Sequence, residues 1–328
     1  MFFSSGNQTT WRVAGALTIV YIVWGTTYYA LGVAMQSLPP VLMNGARFVL
    51  AGLVMLAWAR WQGQAWPTPK QWRQCAAIGG LMAFAAMALV VLAQKLGIGS
   101  GLMATVVTTM PMWLALWTRW GGEPVPWTSW LGLTLGAAGA MVLVLEGDFS
   151  ATWLGTLCAF GAPLCWSLGS YASRRWALPP PAMASGAQWL LGGLLGVVVA
   201  GLFEPSARQF AWSQVTVASA LAWWYLVVMG TLVTLNAYLW LLKNTSAALA
   251  GSYSFVNPVV ALAVGVVWAG ETLTGWVYLA MPLILLAIGF ILYGHQLVTW
   301  AQRGYEWLQM KWASRRCLGN LWRLGATK

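Results

Sequence analysis

The sequence predicts an all-α polytopic membrane protein with ten transmembrane helices, built as two inverted-topology repeats of five. Three observations lead there. Sixty per cent of the 328 residues are apolar and only 7% are charged, against about a quarter charged in a soluble domain. Apolar stretches of about 18–23 residues, the length that carries a helix across the hydrocarbon core, recur along the whole chain. Finally, "PPVLMNGARFVLAGL" from Pro39 returns as "PPAMASGAQWLLGGL" from Pro180, with seven of fifteen positions identical.

The apolar stretches lie near 13–34, 41–61, 75–94, 100–118, 128–145, 152–174, 181–203, 221–241, 247–268 and 275–296. Polar or Pro/Gly clusters separate them, among them "MQSLPP", "GQAWPTPKQ", "GGEPVP" and "EGDFS". The first stretch is too long for a signal-peptide core and leads directly into further crossings. Charge placement orients the chain. With a cytoplasmic N-terminus, fourteen Lys and Arg fall inside, from Arg12 through the tail to Lys328; only Lys95 and Arg208 fall outside, and Arg47 lies within a helix. That is a strong positive-inside bias, and it places both termini in the cytoplasm.

The repeat extends beyond the quoted stretch. In the first helix of each half, "WGTTYYA" from Trp24 is answered by "WSLGSYA" from Trp166. "TTMPMWLALWTRWGGE", ending at Glu123, is answered by "SFVNPVVALAVGVVWAGE", ending at Glu271. Residues 1–148 and 149–299 therefore form two five-helix units, with a basic, Trp-rich tail over 300–328. An odd number of crossings turns the second unit upside down relative to the first, the arrangement of secondary transporters with a midplane site at the repeat interface.

Several residues carry a likeness to a known group: "YIVWGTTYYA" in helix 1, "MNGARFVLAG" in helix 2, "TVVTTMPMW" in helix 4, "NAYLWLLKNTSAALAGSYSFVNPVVAL" across helices 8 and 9, and "GETL" entering helix 10. Over about residues 10–298 the chain resembles the drug/metabolite transporter superfamily, in its ten-helix EamA branch. The resemblance implies an exporter of small metabolites with a central cavity between two bundles.

Candidate site residues follow helix by helix. Helix 1 contributes Trp24, Thr27 and Tyr28, and helix 6 their counterparts Trp166, Ser170 and Tyr171. Tyr and Trp supply an apolar wall with one polar handle each. Helix 2 carries Arg47, with Asn44 three residues earlier on the same face. An intramembrane Arg costs about 2.5–3.5 kcal/mol on insertion scales and turns to the bundle interior. Arg47 reads as a partner for a substrate carboxylate, or as a structural bridge to freed carbonyls, and its counterpart is the neutral Gln188.

Gln94 lies near the outer end of helix 3, and Asn236 and Tyr238 in helix 8. Thr105, Thr108 and Thr109 precede Pro111 in helix 4, as Tyr253, Ser254 and Asn257 precede Pro258 in helix 9. An intrahelical proline frees the carbonyl four residues back, which survives in lipid only against protein or a wet cavity. Pro111 and Pro258 therefore read as hinges beside a polar pocket.

Glu123 and Glu271 precede the last helix of each half, where a carboxylate favours the helix dipole; coupling to a proton or ion is their functional alternative. No Asp or Glu falls mid-helix, so a proton relay through the membrane has no carrier.

The same residues exclude other chemistry. Ser100 in "GIGSG" and His295 lie at opposite membrane faces and cannot form a catalytic pair, so no catalytic residue is expected. Cys75, Cys158, Cys165 and Cys317 lack metal spacing, and neither a metal nor another cofactor is implied. A membrane scaffold or receptor is the rival reading, but it needs no internal repeat. The expected partners are a small-molecule substrate, probed first among amino acids and related amphiphiles, and the bilayer, with anionic lipid under the basic, Trp-bearing tail. Nothing points to nucleic acid.

Overall fold

The computed structural model describes residues 5–96, 103, 106–144 and 153–269, with separate positions between 276 and 299. The tail over 300–328, Thr105, Glu271 and His295 lie outside the described residues, as do the side chains of Tyr28, Gln94 and Pro258. Described residues of regular structure are helical throughout.

The helices are numbered here by predicted crossing: α1 (Ser5–Ala34), α2 (Pro40–Trp61), α3 (Pro69–Gly79, Gly80–Ala86 and Met87–Lys95 in one run), α4 (Met110–Trp120), α5 (Trp127–Val144), α6 (Trp153–Arg175), α7 (Pro181–Phe203), α8 (Val217–Tyr225, Leu226–Val233 and Thr234–Asn244 in one run) and α9 (Ala247–Gly251 and Tyr253–Ala269). Among the described residues, five spans are long and apolar enough to cross a membrane: Thr10–Ala34, Pro40–Trp61, Pro69–Ala93, Pro181–Phe203 and Val217–Asn244. These are α1, α2, α3, α7 and α8. Local chemistry sets several starts. Pro40 and Pro181 open α2 and α7, where a missing N–H is no loss. A capping box starts α3: Thr68 Oγ1 accepts from the Gln71 N–H, and the Gln71 side chain accepts from the Thr68 N–H at 2.9 Å.

α2 and α7 form the central pair. They run antiparallel in close contact, Gly45 against Gly193 and Gly52 against Gly186. A Cβ on Gly45 would lie 3.0 Å from the Gly193 carbonyl oxygen, and one on Gly52 would strike the Leu190 backbone. Only glycine lets the backbones approach so closely. Gly45 and Gly186 are equivalent in the repeat, as are Gly52 and Gly193, so each contact becomes the other when the halves are exchanged.

Two features depart from regular helix. Gly80–Ala86 in α3 and Leu226–Val233 in α8 are π-helical, in the third crossing of each half. Helix 4, expected to be continuous over 100–118, instead turns at Thr108–Thr109 before α4 begins. The Thr109 N–H and hydroxyl both donate to the Val106 carbonyl, and Pro111 takes the second position of the new helix. Its missing N–H there breaks nothing, so Pro111 restarts a helix rather than kinking one. α9 has a similar interruption at Ser252.

Candidate functional site

A cavity of about 110 Å³, measured as space open to the centres of water molecules, lies between the helices. At roughly 10–15 Å³ of such space per water, it has room for several waters or a small solute. Its walls come from α1 (Trp24, Thr27), α2 (Arg47, Phe48), α3 (Met87, Val90), α6 (Pro163, Trp166), α8 (Gly230, Thr231) and α9 (Tyr253, Asn257), with Val107 and Met110 beside the helix 4 turn.

Arg47 is the charge of the site. It is 6% exposed, its guanidinium lies 4.5 Å from the Phe48 ring centre, and its Nε has no hydrogen-bond partner. No ion pair involves it among the described residues. A cation over a ring face gains about 0.5–2 kcal/mol, less than the insertion cost of the charge. Asn257 Oδ1 is likewise buried without a partner, whereas the Trp166 indole lies against Tyr238, with which it interacts. One lining group therefore offers an acceptor, and one a donor.

Towards the predicted inner face the site closes on an aromatic cluster. Trp24 packs edge-on against Trp166 (5.6 Å between ring centres) and Tyr253 (4.6 Å), and Tyr238 completes the group at 5.2 Å from Trp24. The Tyr238 and Ser170 hydroxyls are 2.8 Å apart, and those of Tyr21 and Ser252 2.7 Å. Trp24 Nε1 donates to the Gly230 carbonyl within the π-helical turn of α8 (3.0 Å). Farther along, Glu123 pairs with Arg175 at 3.0 Å and Arg174 at 3.3 Å, and Arg174 also donates to the Thr245 carbonyl. This ties the α4–α5 turn, α6 and the α8–α9 turn together.

The family model described as the EamA-like transporter family matches twice, over residues 12–145 and 153–293. The chain belongs to the EamA-like transporter family. The chain is 33% identical over 267 residues to the "Uncharacterized inner membrane transporter YedA" of Escherichia coli, covering 81% of this chain and 86% of that one. A "Probable amino-acid metabolite efflux pump" of Salmonella typhimurium is 26% identical over 267 residues, covering 78% and 87%. A protein of known crystal structure shares the fold at a TM-score of 0.69 and 23% identity, over 87% of this chain and 97% of that one. The protein is accordingly a membrane protein of a transporter family.

Within this EamA-like chain, Trp24, Thr27, Arg47, Trp166, Tyr253 and Asn257 meet at the cavity. Other candidates serve the packing around it. Ser170 and Tyr238 are fully buried and bonded to each other beneath it. Asn44 is buried and donates to the Pro40 carbonyl (3.2 Å), while Asn236 donates to the Leu232 carbonyl (2.6 Å). Thr108 is buried, and Thr109 caps the helix 4 turn. Tyr171 lies at the inner end, under Arg175 and against Gly121. Glu123 is held by two guanidiniums.

Several contributors escaped the sequence reading, Pro163, Gly230 and Thr231 at the cavity and Glu204 in the frame outside it. Pro163 lies inside α6 and lines the cavity, so the Ala159 carbonyl loses its usual donor; "FGAPLCW" displayed that signal. Gly230 and Thr231 line it through the π-helical turn, for which composition gave no cue. Glu204 is 5% exposed. It accepts from the Val41 and Leu42 N–H groups at the start of α2 and pairs with Lys95 at 3.2 Å.

Proposed function

We propose that this protein is a secondary transporter that exports small organic metabolites carrying a carboxylate, amino acids or related amphiphiles, across a bacterial inner membrane. The observation that carries the reading is two unpaired polar atoms among the cavity-lining residues: Arg47 Nε as donor and Asn257 Oδ1 as acceptor. An unsatisfied buried polar group costs about 1–3 kcal/mol. A solute carrying both a carboxylate and an amine supplies a partner of the right kind for each. Trp24, Phe48 and Tyr253 supply the surface for its apolar part.

Transport proceeds by rocking of two inverted five-helix halves around this site, with both termini in the cytoplasm. The antiparallel glycine contacts of α2 with α7 and the double family match support two related halves. A relative named as a probable efflux pump supports the direction. Pro111, beside the interruption of helix 4, and Pro258, within the second helical piece of α9, are the hinges. Glu123, engaged by Arg174 and Arg175, acts as an inner tie, and a coupling role falls to it or to Glu271 only if transport follows a proton gradient. The basic tail over 300–328 rests on anionic lipid.

Efflux from proteoliposomes loaded with labelled amino acids and small hydrophobic amines, with and without an imposed pH gradient, tests this reading. Saturable efflux of a carboxylated solute is expected. Silence across the panel from folded protein would contradict it and favour a scaffold.

A further inference from the structure

Arg47 and its repeat counterpart Gln188 occupy opposite environments. Arg47 and Phe48 line the cavity. Gln188 and Trp189, their counterparts 141 positions on, are each 2% exposed in dry packing. The same reversal holds for what faces them. Gly79, immediately before the π-helical turn of α3, is pressed against the Gln188 backbone carbonyl, so that a Cβ there would collide with it. Leu226, the first residue of the π-helical turn of α8, instead shares the cavity with Arg47. At the level of Gln188 one of two related interfaces is packed backbone to backbone; at the level of Arg47 the other encloses a cavity, closed farther out where Trp223 Nε1 donates to the Met43 carbonyl.

Gln188 is also poorly satisfied where it lies. Its Nε2 is buried with no hydrogen-bond partner, although a leucine of similar size would fill the position without that penalty. A buried amide with a spare donor, beside an aromatic ring and on the helix equivalent to α2, has the composition of a binding wall but no space before it.

We propose that Gln188 is the inward-facing counterpart of Arg47, exposed when α3 withdraws from α7 at Gly79. The inference rests on the alternating-access reading above. In the inward-facing form the interfaces exchange roles: α8 closes over Arg47, and Gln188 with Trp189 lines the cavity open to the cytoplasm. The substrate then meets a neutral amide on the inner side and a guanidinium on the outer side. The replacement of Arg by Gln in the second copy makes the two half-sites unequal in charge, so a carboxylate is held more weakly when the site faces inward.

Cysteine accessibility in the full-length chain tests this, with Cys75, Cys158, Cys165 and Cys317 first replaced by alanine. Single reporters Thr27→Cys, Ser170→Cys and Gln188→Cys are exposed to a membrane-impermeant maleimide from one side at a time, in right-side-out and inside-out vesicles. Gln188→Cys is expected to react at least about tenfold faster from the cytoplasmic side, and Thr27→Cys faster from the outside, as two populated states require. Should Gln188→Cys fail to fold, Ser185→Cys, a near-isosteric change one turn away on the same face, gives the same reading. If Ser170→Cys reacts from inside while the α7 reporter reacts from neither side, alternating access stands and the role of Gln188 is overturned. If no reporter reacts from inside, the alternating-access reading itself fails, and the role of Gln188 with it.

Discussion

The predicted outer and inner halves of the molecule use related residues to opposite ends. On the outer side, α2 carries Arg47 to a cavity that Asn257 also lines, while farther out Leu31, Met43 and Leu226 pack together and Trp223 Nε1 donates to the Met43 carbonyl. On the inner side, α7 carries Gln188 into contact with Gly79, and four aromatic rings, two hydroxyl pairs and a Glu–Arg–Arg cluster fill the volume. The difference teaches where each kind of energy resides. Apolar packing and the two hydroxyl pairs hold the inner half closed around one unpaired amide, Gln188 Nε2, while the cavity on the outer side leaves Arg47 Nε and Asn257 Oδ1 for a ligand to use. Such a division suits a protein that must change shape, because the groups left unpaired in one state are those whose pairing favours the next.

The comparison breaks most severely at Gly79. Gly79→Val places methyl groups against the α7 backbone, which no rotamer change relieves, and overpacking of this kind costs about 1–3 kcal/mol or more. The inner closure should loosen, with faster cytoplasmic labelling at Ser170→Cys and a lower thermal midpoint in detergent. Gly80→Val, with no atom within 4 Å of the new Cβ, should change neither.

Arg47→Gln comes next, since it gives the outer half the residue of the inner half. Hydrogen bonds to charged groups contribute about 1.5–3 kcal/mol, so transport of a carboxylated solute should fall roughly ten- to a hundredfold. Removing an intramembrane cation should meanwhile leave the thermal midpoint unchanged or raised. A parallel loss of both would make Arg47 a structural bridge.

Glu204→Gln probes the outer frame rather than the site. The carboxylate lies at the N-terminus of α2 and beside Lys95, and a helix-end charge contributes about 0.3–1 kcal/mol. A midpoint lower by a few degrees is expected, with the substrate preference unaltered. Tyr238→Phe has the smallest expected effect. It removes the hydroxyl bonded to Ser170, a loss of about 0.5–1.5 kcal/mol, and should slightly raise inner accessibility with the rings still in place.

Much of this architecture could be read from the sequence, because membrane helices announce themselves by length and apolar content. α1, α2, α3, α7 and α8 lie where the apolar stretches put them. Arg47, Trp24 and Asn257, which line the cavity, could be picked out in the sequence because polar groups in an apolar helix need a reason to be there. The rest depended on geometry that residue types do not encode. A π-helical turn inserts one residue without a composition signal, so Gly230 and Thr231 went unread. Glu204 finds its partners at positions 41, 42 and 95, far from it in sequence. Thr108 and Thr109 looked like pocket lining, but one is buried and the other caps a turn. Hydroxyls next to a proline serve either end equally well.

Counterflow in proteoliposomes tests the central claim, that solute crosses through the cavity bearing Arg47, most directly. Vesicles preloaded with an excess of one unlabelled amino acid are diluted into its labelled form, with wild-type protein or Arg47→Gln at equal reconstituted amounts. Saturable uptake of label by the wild type, reduced at least about tenfold in the variant while folding is intact, is the predicted result. Equal counterflow by the two proteins would place the transport path elsewhere and contradict the account.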